Sequence, residues 1–383
     1  MANTITSVLP SLYAGLDVVS RELIGIIPAM QRDVSVERAA VGQTVSVPVV
    51  PAATGGNITP GSVPPDDGDV IMGVQTVAIT KSKYSPVRWN GEEQRAIGPT
   101  GNYNQILADQ FAQAFRWLAN QIEVDGVTAA KNAASRAYGT AGNTPFGTAG
   151  DLTDFAGINK ILDENGAPQF GRRMIIGSAA RFNLEGKQSV LFKANEANTD
   201  DFLRRRTLTT VMGFGLGYSA GVGIVTKGGG TAYTSSAAGF PVGTTSIPVI
   251  TGSGTILAGD VITFTGDSNK YVVKTGVAAP GTIVLNAPGL LQALPASATG
   301  LTIGNSYTDN VAFTPNALVL AARAPAAPEG GDSADDFQMV VDPTSGIAFE
   351  VRLYREYRRI RYEVGLAWGV GVVKAEHIAL LLG

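Results

Sequence analysis

A single histidine limits the acid–base chemistry open to this chain. The 383 residues include one histidine, His377, and no cysteine. Disulfides, thiolate nucleophiles and cysteine-bound zinc are thereby excluded, and a Ser-His-Asp triad would have to use His377. That residue lies in KAEHIALLLG, beside an apolar run. We expect a structural role for it, predict no catalytic residues, and do not expect an enzyme.

Three aspartates form a candidate cation site. Asp66, Asp67 and Asp69 lie in PAATGGNITPGSVPPDDGD, which is rich in glycine and proline. Carboxylates bind calcium, but a calcium loop needs a fuller set of spaced ligands than these three residues provide. We favour a solvated acidic loop tip and predict no metal site.

Two further patterns are considered for phosphate or nucleotide binding. Arg204, Arg205 and Arg206 follow Asp200 and Asp201 closely, so we favour charge pairing along a helical turn over a phosphate site. The glycines of MGFGLGYSAG lack the G-x-G-x-x-G spacing, and strand-like VGIVTK follows where a dinucleotide site requires a helix. No cofactor is predicted.

The overall composition favours self-association over binding to nucleic acid or membrane. Hydrophobic residues make up 44% of the chain, charged residues 16%, and the formal net charge is −3. Low charge suits a protein that buries surface against its own copies, and no general basic footprint is present. No stretch reaches the roughly 18 apolar residues of a membrane span. A basic leader with a cleavage site is not seen either, so we expect the chain to act where it is made.

Charged residues in two regions are predicted to lie at a subunit interface. Five arginines crowd the region after residue 350, where they suit either phosphates or acids of the same or a neighbouring copy. An unpaired row of like charges on adjacent strands is destabilising, so we expect partners and favour acids over DNA. The predicted interface residues are Asp66, Asp67, Asp69, Lys81, Lys83, Arg88, Arg352, Arg355, Arg358, Arg359 and Arg361.

The element that must position these residues is a long helix predicted from Asn102 to Ser135. Its apolar residues recur at steps of three and four, the spacing of one helix face, and no proline interrupts it. A helix of about 30 residues is roughly 45 Å long, well beyond the usual length. The apolar residues that define this face are Leu107, Phe111, Ala114, Leu118 and Ile122.

Strand-like sequence surrounds this helix. A shorter amphipathic helix is predicted within Ile5–Met30, either as a core helix or as an arm that docks on a neighbouring copy. From Gly42 to Trp89 the period changes to two, which predicts a long β-hairpin with a wide tip. Thr153 is expected to cap a helix that ends before Gly166. The stretch 226–309 is poor in charge and predicts an all-β unit inserted into the parent.

The order of these parts resembles the major capsid protein of tailed bacteriophages, in the podovirus-type branch that carries an inserted domain. The resemblance is borne by WLANQIEVDGVTAA in the long helix, LAGDVITFTGDSNKYVV in the inserted unit, VAFTPNALVLAARAP after it, and YEVGLAWGVGVVKAEHIALLLG. It implies an α+β fold with a spine helix, an extended hairpin loop, an axial α/β domain and an inserted β-barrel. The implied domains are an N-terminal arm (1–41), the hairpin (42–90), a peripheral domain with the spine helix (91–150), the axial domain (151–225), the barrel (226–309) and return strands (310–383).

The same resemblance implies a structural function. Copies are expected to form pentamers and hexamers that close into an icosahedral shell around double-stranded DNA, with the hairpin lying on the adjacent subunit. Scaffolding and portal proteins are the implied partners, and DNA would be contacted weakly. The virion, assembled in the host cytoplasm, is the implied location. An encapsulin-like compartment shell, or a β-rich tail or adhesin component, remains the alternative.

Overall fold

The described α-helices all lie in the first half of the chain, and strands make up most of the described structure from residue 210 onwards. The computed structural model describes residues 9–22, 25–50, 57–58, 60, 71–97, 103–188, 210–342 and 346–383. Within these ranges, no helix is long and apolar enough to cross a membrane. The helices described are α1 (Leu9–Glu22), α2 (Gly91–Ile97), α3 (Tyr103–Ala133), α4 (Thr153–Glu164) and α5 (Ser178–Lys187).

The strands form two large sheets and one two-stranded sheet, so the predicted α+β class is confirmed. In chain order they are β1 (Gln31–Ala39), β2 (Thr44–Val49), β3 (Gly73–Ala78), β4 (Lys81–Asn90), β5 (Arg136–Tyr138), β6 (Arg173–Ile176), β7 (Thr210–Val211), β8 (Phe214–Tyr218), β9 (Ile224–Val225), β10 (Tyr233–Thr234), β11 (Ser246–Val249), β12 (Val261–Phe264), β13 (Lys270–Thr275), β14 (Gly281–Leu285), β15 (Gly300–Ile303), β16 (Tyr307–Phe313), β17 (Leu318–Pro325), β18 (Asp336–Val341), β19 (Ala348–Glu356), β20 (Arg359–Val372) and β21 (Ile378–Leu382).

The long helix α3 lies at the centre of the main core, as its apolar spacing predicts. All five residues of the predicted apolar face are buried. On one side α3 packs against the six-stranded sheet, where Phe111 meets Tyr362 and Phe115 meets Phe349 edge to face, with ring centroids 5.5 and 5.0 Å apart. These aromatic contacts fix the sheet on the helix.

The N-terminal helix packs on α3 of its own chain, which matches the core-helix interpretation of this segment. Leu12 and Leu16 of α1 are buried in the same core as Phe111 and Leu118. The two helices approach closely at Gly15, where an added Cβ would lie 2.9 Å from the Ala108 carbonyl oxygen. The described helix, Leu9–Glu22, lies within the predicted stretch, and the strand β1 that follows it in the chain pairs in parallel with β17.

The predicted hairpin is divided between two sheets. Among the described residues, strand β2 pairs only with β3, from Thr44 opposite Ala78 to Val49 opposite Gly73. The chain then continues into β4, which pairs with β20 at the edge of the six-stranded sheet. The second strand of the hairpin therefore changes partner at Ile79 and Thr80, a break that its continuous alternation does not mark.

The remaining strands join a second core to a barrel. Strands β6, β8, β16 and β21 carry the second core with α4 and α5. From β10 onwards, the order β10-β15-β12-β13-β14-β11 is closed by bridges from Thr231 to Ser253 and from Ser235 to Val249. A hydrophobic cluster fills this ring. Pairing of β13 with β5 makes the barrel continuous with the parent sheet.

The start of α4 departs from the predicted cap. Thr153 is the first helical residue, and its side chain makes no capping bond to the helix. Instead, the Thr153 backbone N–H donates to Asp151 Oδ1 over 2.8 Å. The acceptor for this helix start is thus a carboxylate two residues earlier. The C-terminal prediction is confirmed, because Gly166 takes a left-handed φ of 73°.

Candidate subunit interface

A face rich in arginine and aromatic side chains covers the six-stranded sheet on the side away from α3. Side chains alternate across the strands, so Tyr362 and Val364 of β20 face the helix while Arg361 and Glu363 face away. We call the outward set the arginine–aromatic face. Its members are Arg38, Tyr84, Arg88, Phe337, Glu350, Arg352, Tyr354, Arg361 and Glu363.

Arg361 is held between two tyrosines in the middle of this face. Its guanidinium centre lies 5.4 Å from the Tyr84 ring and 5.7 Å from the Tyr354 ring. Its Nη2 also lies 2.5 Å from the Glu363 carboxylate. A guanidinium held in this way loses little conformational freedom when a partner binds. Tyr84 remains 53% exposed, so aromatic surface is available for a contact.

A second group of charges surrounds the buried carboxylate of Glu350. Arg38 Nη2 lies 2.5 Å and Arg352 Nη2 3.1 Å from its Oε1. Arg352 also pairs with Asp332. Burial opposes the charge of Arg352, but Glu350 and Asp332 outweigh that effect and raise its pKa. Because a buried carboxylate needs such partners, this group is a fixed part of the face.

The predicted arginines find acids within the chain. Arg355 Nε lies 3.1 Å from Asp335, and Arg359 pairs with Glu356. Arg358 occupies the turn between β19 and β20 with a left-handed φ of 58°, and its guanidinium lies 5.7 Å from the Tyr357 ring. Intra-chain acids are therefore the partners of most of this cluster, in line with the preference for acids over phosphates.

The predicted cations of β4 divide between two surfaces. Lys81 Nζ lies 2.5 Å from Asp125 of α3. Lys83 donates to Gln121 over 2.6 Å and lies 5.7 Å from the Trp117 ring. Both therefore face the helix, while Arg88 lies opposite Arg361 in the strand register and is exposed. Arg88 thus joins the arginine–aromatic face and the two lysines do not.

Two groups of charged residues with predicted roles lie outside the described residues. This applies to Asp66, Asp67 and Asp69, and also to Arg204, Arg205 and Arg206. The described part of the hairpin ends in apolar surface, since Val50, Met72 and Val74 are exposed by 65, 52 and 61%. Patches of this kind often mark contact sites.

Sequence reasoning missed the aromatic half of the face. Tyr84, Tyr354 and Phe337 were not singled out, although each occupies an alternate position on its strand next to a charged residue. An alternation of arginine and tyrosine on strands predicted to pair is the signal that identifies them. Glu350 has no comparable signal, because its burial depends on strand order.

The histidine lies away from this face. His377 ends a short 3-10 helix, Ala375–His377, and is buried. Burial lowers its pKa, with Glu376 acting in the opposite direction. Among the described residues, no group of three or more histidine, aspartate or glutamate side chains is placed to hold a metal ion.

Comparison with solved structures finds phage capsids and a virus-like particle among the similar chains. The capsid structure of the cyanophage P-SCSP1u is 10% identical, with a TM-score of 0.49 over 92% of this chain and 86% of that chain. The mature capsid of bacteriophage PhiM1 is 11% identical, with a TM-score of 0.43 over 93% of this chain and 85% of that chain. The virus-like particle from Pyrococcus furiosus is 10% identical, with a TM-score of 0.44 over 97% of this chain and 98% of that chain.

No family model and no curated protein matches this chain. The TM-scores of the three structures above are all below 0.5, so the functional proposal rests on the geometry of the chain.

Proposed function

We propose that this chain is the major capsid protein of a tailed bacteriophage. Its copies form pentamers and hexamers that close into an icosahedral shell around double-stranded DNA. The role is structural and not catalytic. A scaffolding protein and a portal are the expected partners during assembly, in the host cytoplasm, and the finished shell is part of the virion.

The observation that carries this proposal is the exposed apolar surface on the outer part of the hairpin. Within the described part of the hairpin, the base is covered, where Val77 and Ile79 pack on Val319, Ala321 and Ala367. Further out, Val74 and Met72 are exposed. An isolated two-stranded hairpin is marginal in water, so its outer part needs a second surface. A neighbouring copy supplies one in a closed shell.

The arginine–aromatic face is the proposed receiving surface. Arginine and tyrosine are enriched at protein interfaces, and Arg361 is already ordered between Tyr84 and Tyr354. The hairpin tip contributes Asp66, Asp67 and Asp69 with no cation between residues 44 and 80. Negative charge on the tip and arginines on the face are complementary, which supports this pairing.

A truncated hairpin tests the proposal. Residues 50–72 are replaced by Asn-Gly, a turn that suits two paired strands, so Val49 and Gly73 keep their register. The variant is expected to fold, with an unchanged circular dichroism spectrum, and to sediment as a small species under conditions in which the full chain forms shells. A truncated chain that assembles as readily as the full chain contradicts the proposal.

A further inference from the structure

Strand β4 has a free edge beside the long helix. Among the described residues it pairs with β20 alone. The Gly91 N–H donates to the Arg358 carbonyl oxygen over 3.2 Å. The next pair in the register, Asn90 and Arg359, is therefore not hydrogen-bonded, and such pairs alternate along an antiparallel ladder. The residues of β4 that direct their backbone polar groups away from β20 are thus Ser82, Tyr84, Pro86, Arg88 and Asn90.

The position of Pro86 agrees with this register. Proline has no N–H to donate, so within a sheet it is confined to places that face away from a partner strand. Pro86 lies in the outward set, opposite Glu363. Tyr84 and Arg88 keep outward N–H groups on either side of it, so an added strand finds donors on both sides of the proline.

A groove of about 510 Å³ lies between this edge and one face of α3. The helix side includes Gln113, Trp117 and Asn120, which recur at steps of four and three and are exposed. Trp117 keeps 43% of its surface exposed, and the Lys83 ammonium lies 5.7 Å from its ring. Tryptophan is enriched among the residues that dominate binding at protein interfaces. The groove therefore offers a strand edge on one wall and an aromatic ring on the other.

The groove and the strand edge carry positive charge. Arg88, which also belongs to the arginine–aromatic face, lines the groove together with Arg116, and no acidic residue among those described does. The strand itself, KSKYSPVRWN, has three cations and no acid. Like charges on paired strands repel, so these cations oppose addition of a second copy of β4. The same charges favour an acidic segment.

Two acidic stretches of this chain suit the groove poorly. Asp332 and Asp335 already pair with Arg352 and Arg355 of their own chain. The stretch 62–69, SVPPDDGD, contains two adjacent prolines, which cannot donate to a strand edge. Both observations favour a segment from a different protein.

We propose that this groove is a docking site for an extended acidic segment of a second protein, which adds to β4 as a further strand. In this mode of binding, main-chain hydrogen bonds supply affinity and side chains at alternate positions supply specificity. Apolar side chains of the segment pack on Trp117, and acidic ones pair with Arg88 and Arg116. The binding does not require assembly, so it is tested separately from the proposed shell.

Peptide titration of the full-length chain tests the site. The probe is a capped peptide as long as β4 in which glutamate and valine alternate, and the control peptide has lysine in place of glutamate. Trp89 and Trp368 are buried, so a change in tryptophan fluorescence on binding reports mainly Trp117. The acidic peptide is expected to shift the emission to shorter wavelength, and the lysine peptide to have no effect. Equal binding of the two peptides, or no binding at millimolar peptide, overturns the proposal.

Hydrogen exchange at single-residue resolution identifies the paired edge. The acidic peptide is expected to protect the outward amides of Tyr84 and Arg88. The amides of Lys83 and Val87, which already bond to β20, are expected to stay unchanged. Outward amides that remain unprotected in the bound state overturn strand addition. Outward amides that are protected before peptide is added show that this chain covers its own edge, and they overturn the choice of a second protein.

Substitutions locate the bound peptide in the groove, with the Kd measured by calorimetry. Trp117→Ala is expected to weaken binding of the acidic peptide about tenfold, and Arg116→Gln about threefold, the size of one exposed ion pair. Phe182→Ala is the matched control, because it removes an aromatic side chain that is 70% exposed on α5, and it is expected to leave the Kd unchanged. A Trp117→Ala chain that binds the peptide as tightly as the Phe182→Ala chain overturns the assignment.

Discussion

Glu123 joins three segments of the chain through one buried carboxylate. It lies on α3 and is 7% exposed. The backbone N–H groups of Ile26 and Ile27 donate to it over 2.8 and 3.0 Å, and the Ser219 hydroxyl donates over 2.5 Å. The segment after α1 and the loop after β8 are therefore both bound to the long helix at this residue.

Replacing Glu123 by alanine is expected to destabilise the fold strongly. Two buried backbone donors lose their acceptor, and each such group costs about 1–3 kcal/mol. We expect the free energy of unfolding to fall by about 3 kcal/mol or more in urea titrations. A loss below about 1 kcal/mol contradicts this role. Asp109→Ala serves as a control, because it removes an exposed carboxylate from the same helix whose hydrogen bond is to the exposed Gln105 side chain.

The protonation of Glu123 sets the sign of a pH effect on stability. Burial raises its pKa above the ordinary value of 4.5, although the hydrogen bonds from Ser219, Ile27 and Ile26 act in the opposite direction. Its contribution to stability is therefore complete below about that value and declines as pH rises through the folded pKa. We expect Glu123→Gln to remove this decline when unfolding is measured at several pH values. A decline of the same size in the variant contradicts the assignment.

Arg361 is the residue through which the proposed interface is tested most locally. Arg361→Ala removes a guanidinium held by Tyr84 and Tyr354, at a cost to each subunit contact of about 1 kcal/mol. The critical concentration for assembly, measured by light scattering, is expected to rise roughly fivefold. Lys160→Ala removes the same charge from a side chain that is 75% exposed on α4, and is expected to leave it unchanged. Equal effects of the two substitutions contradict the interface.

At the scale of elements, a side chain of the barrel caps the C-terminal end of α3. Asn286, in the barrel, donates from Nδ2 to the carbonyl oxygens of Asn132 and Ala134, each over 2.9 Å. Carbonyls at the end of a helix have no partner within it. The barrel therefore satisfies the C-terminal end of α3 with a side chain that is itself buried.

Removing this cap is expected to loosen the end of α3. Asn286→Ala leaves the buried Ala134 carbonyl and the partly buried Asn132 carbonyl without this donor, and is expected to lower the free energy of unfolding by about 1–3 kcal/mol. Hydrogen exchange of residues 130–134 is expected to accelerate while that of residues 110–120 does not. Uniform acceleration along the helix contradicts a local cap. Exposed Asn143→Ala is the control for loss of an asparagine side chain.

The base of the hairpin depends on a glycine in β20. Gly369 lies directly under the Ala78 carbonyl oxygen, so an added Cβ collides with backbone. Gly369→Ala is expected to cost about 1–3 kcal/mol through overpacking and to shift the hairpin. Sedimentation is expected to show fewer shells. Gly186→Ala adds the same methyl group where nothing lies within 4 Å, and a similar loss of shells in that variant contradicts the explanation.

Regular spacing explains which elements could be predicted. Helix α3 is found within two residues of its predicted limits, because five apolar residues repeat along one face without a proline. Strand β1 was missed, since its partner β17 lies almost 300 residues away and pairs in parallel. The change of partner after β3 was missed because Val77, Ile79 and Lys81 continue one alternation across it.

At the scale of the whole molecule, the candidate interface was predictable only in part. The arginines could be identified because they crowd two strands that the sequence already pairs. Their partners could not, since Asp332 reaches Arg352 from a loop and Glu350 is buried only by the neighbouring strands. The predicted domain limits stay predictions, although β9 and β16 bring residues 225 and 307 together.

The weakness of individual contacts is part of the proposed function. Exposed ion pairs contribute about 0–1 kcal/mol each, and the hairpin offers a limited apolar surface. A shell built from such contacts gains stability from their number and from closed symmetry. The same contacts remain reversible while subunits are being added, so misplaced copies are able to leave.

Electron microscopy of the full chain expressed alone, with sedimentation of the same sample, tests the central claim most directly. A capsid protein is expected to give closed shells, or shells mixed with open spirals of pentamers and hexamers, and to sediment as large particles. A monomer or small oligomer that never assembles, even at high concentration or with phage lysate added, would contradict the proposal that this chain builds a capsid.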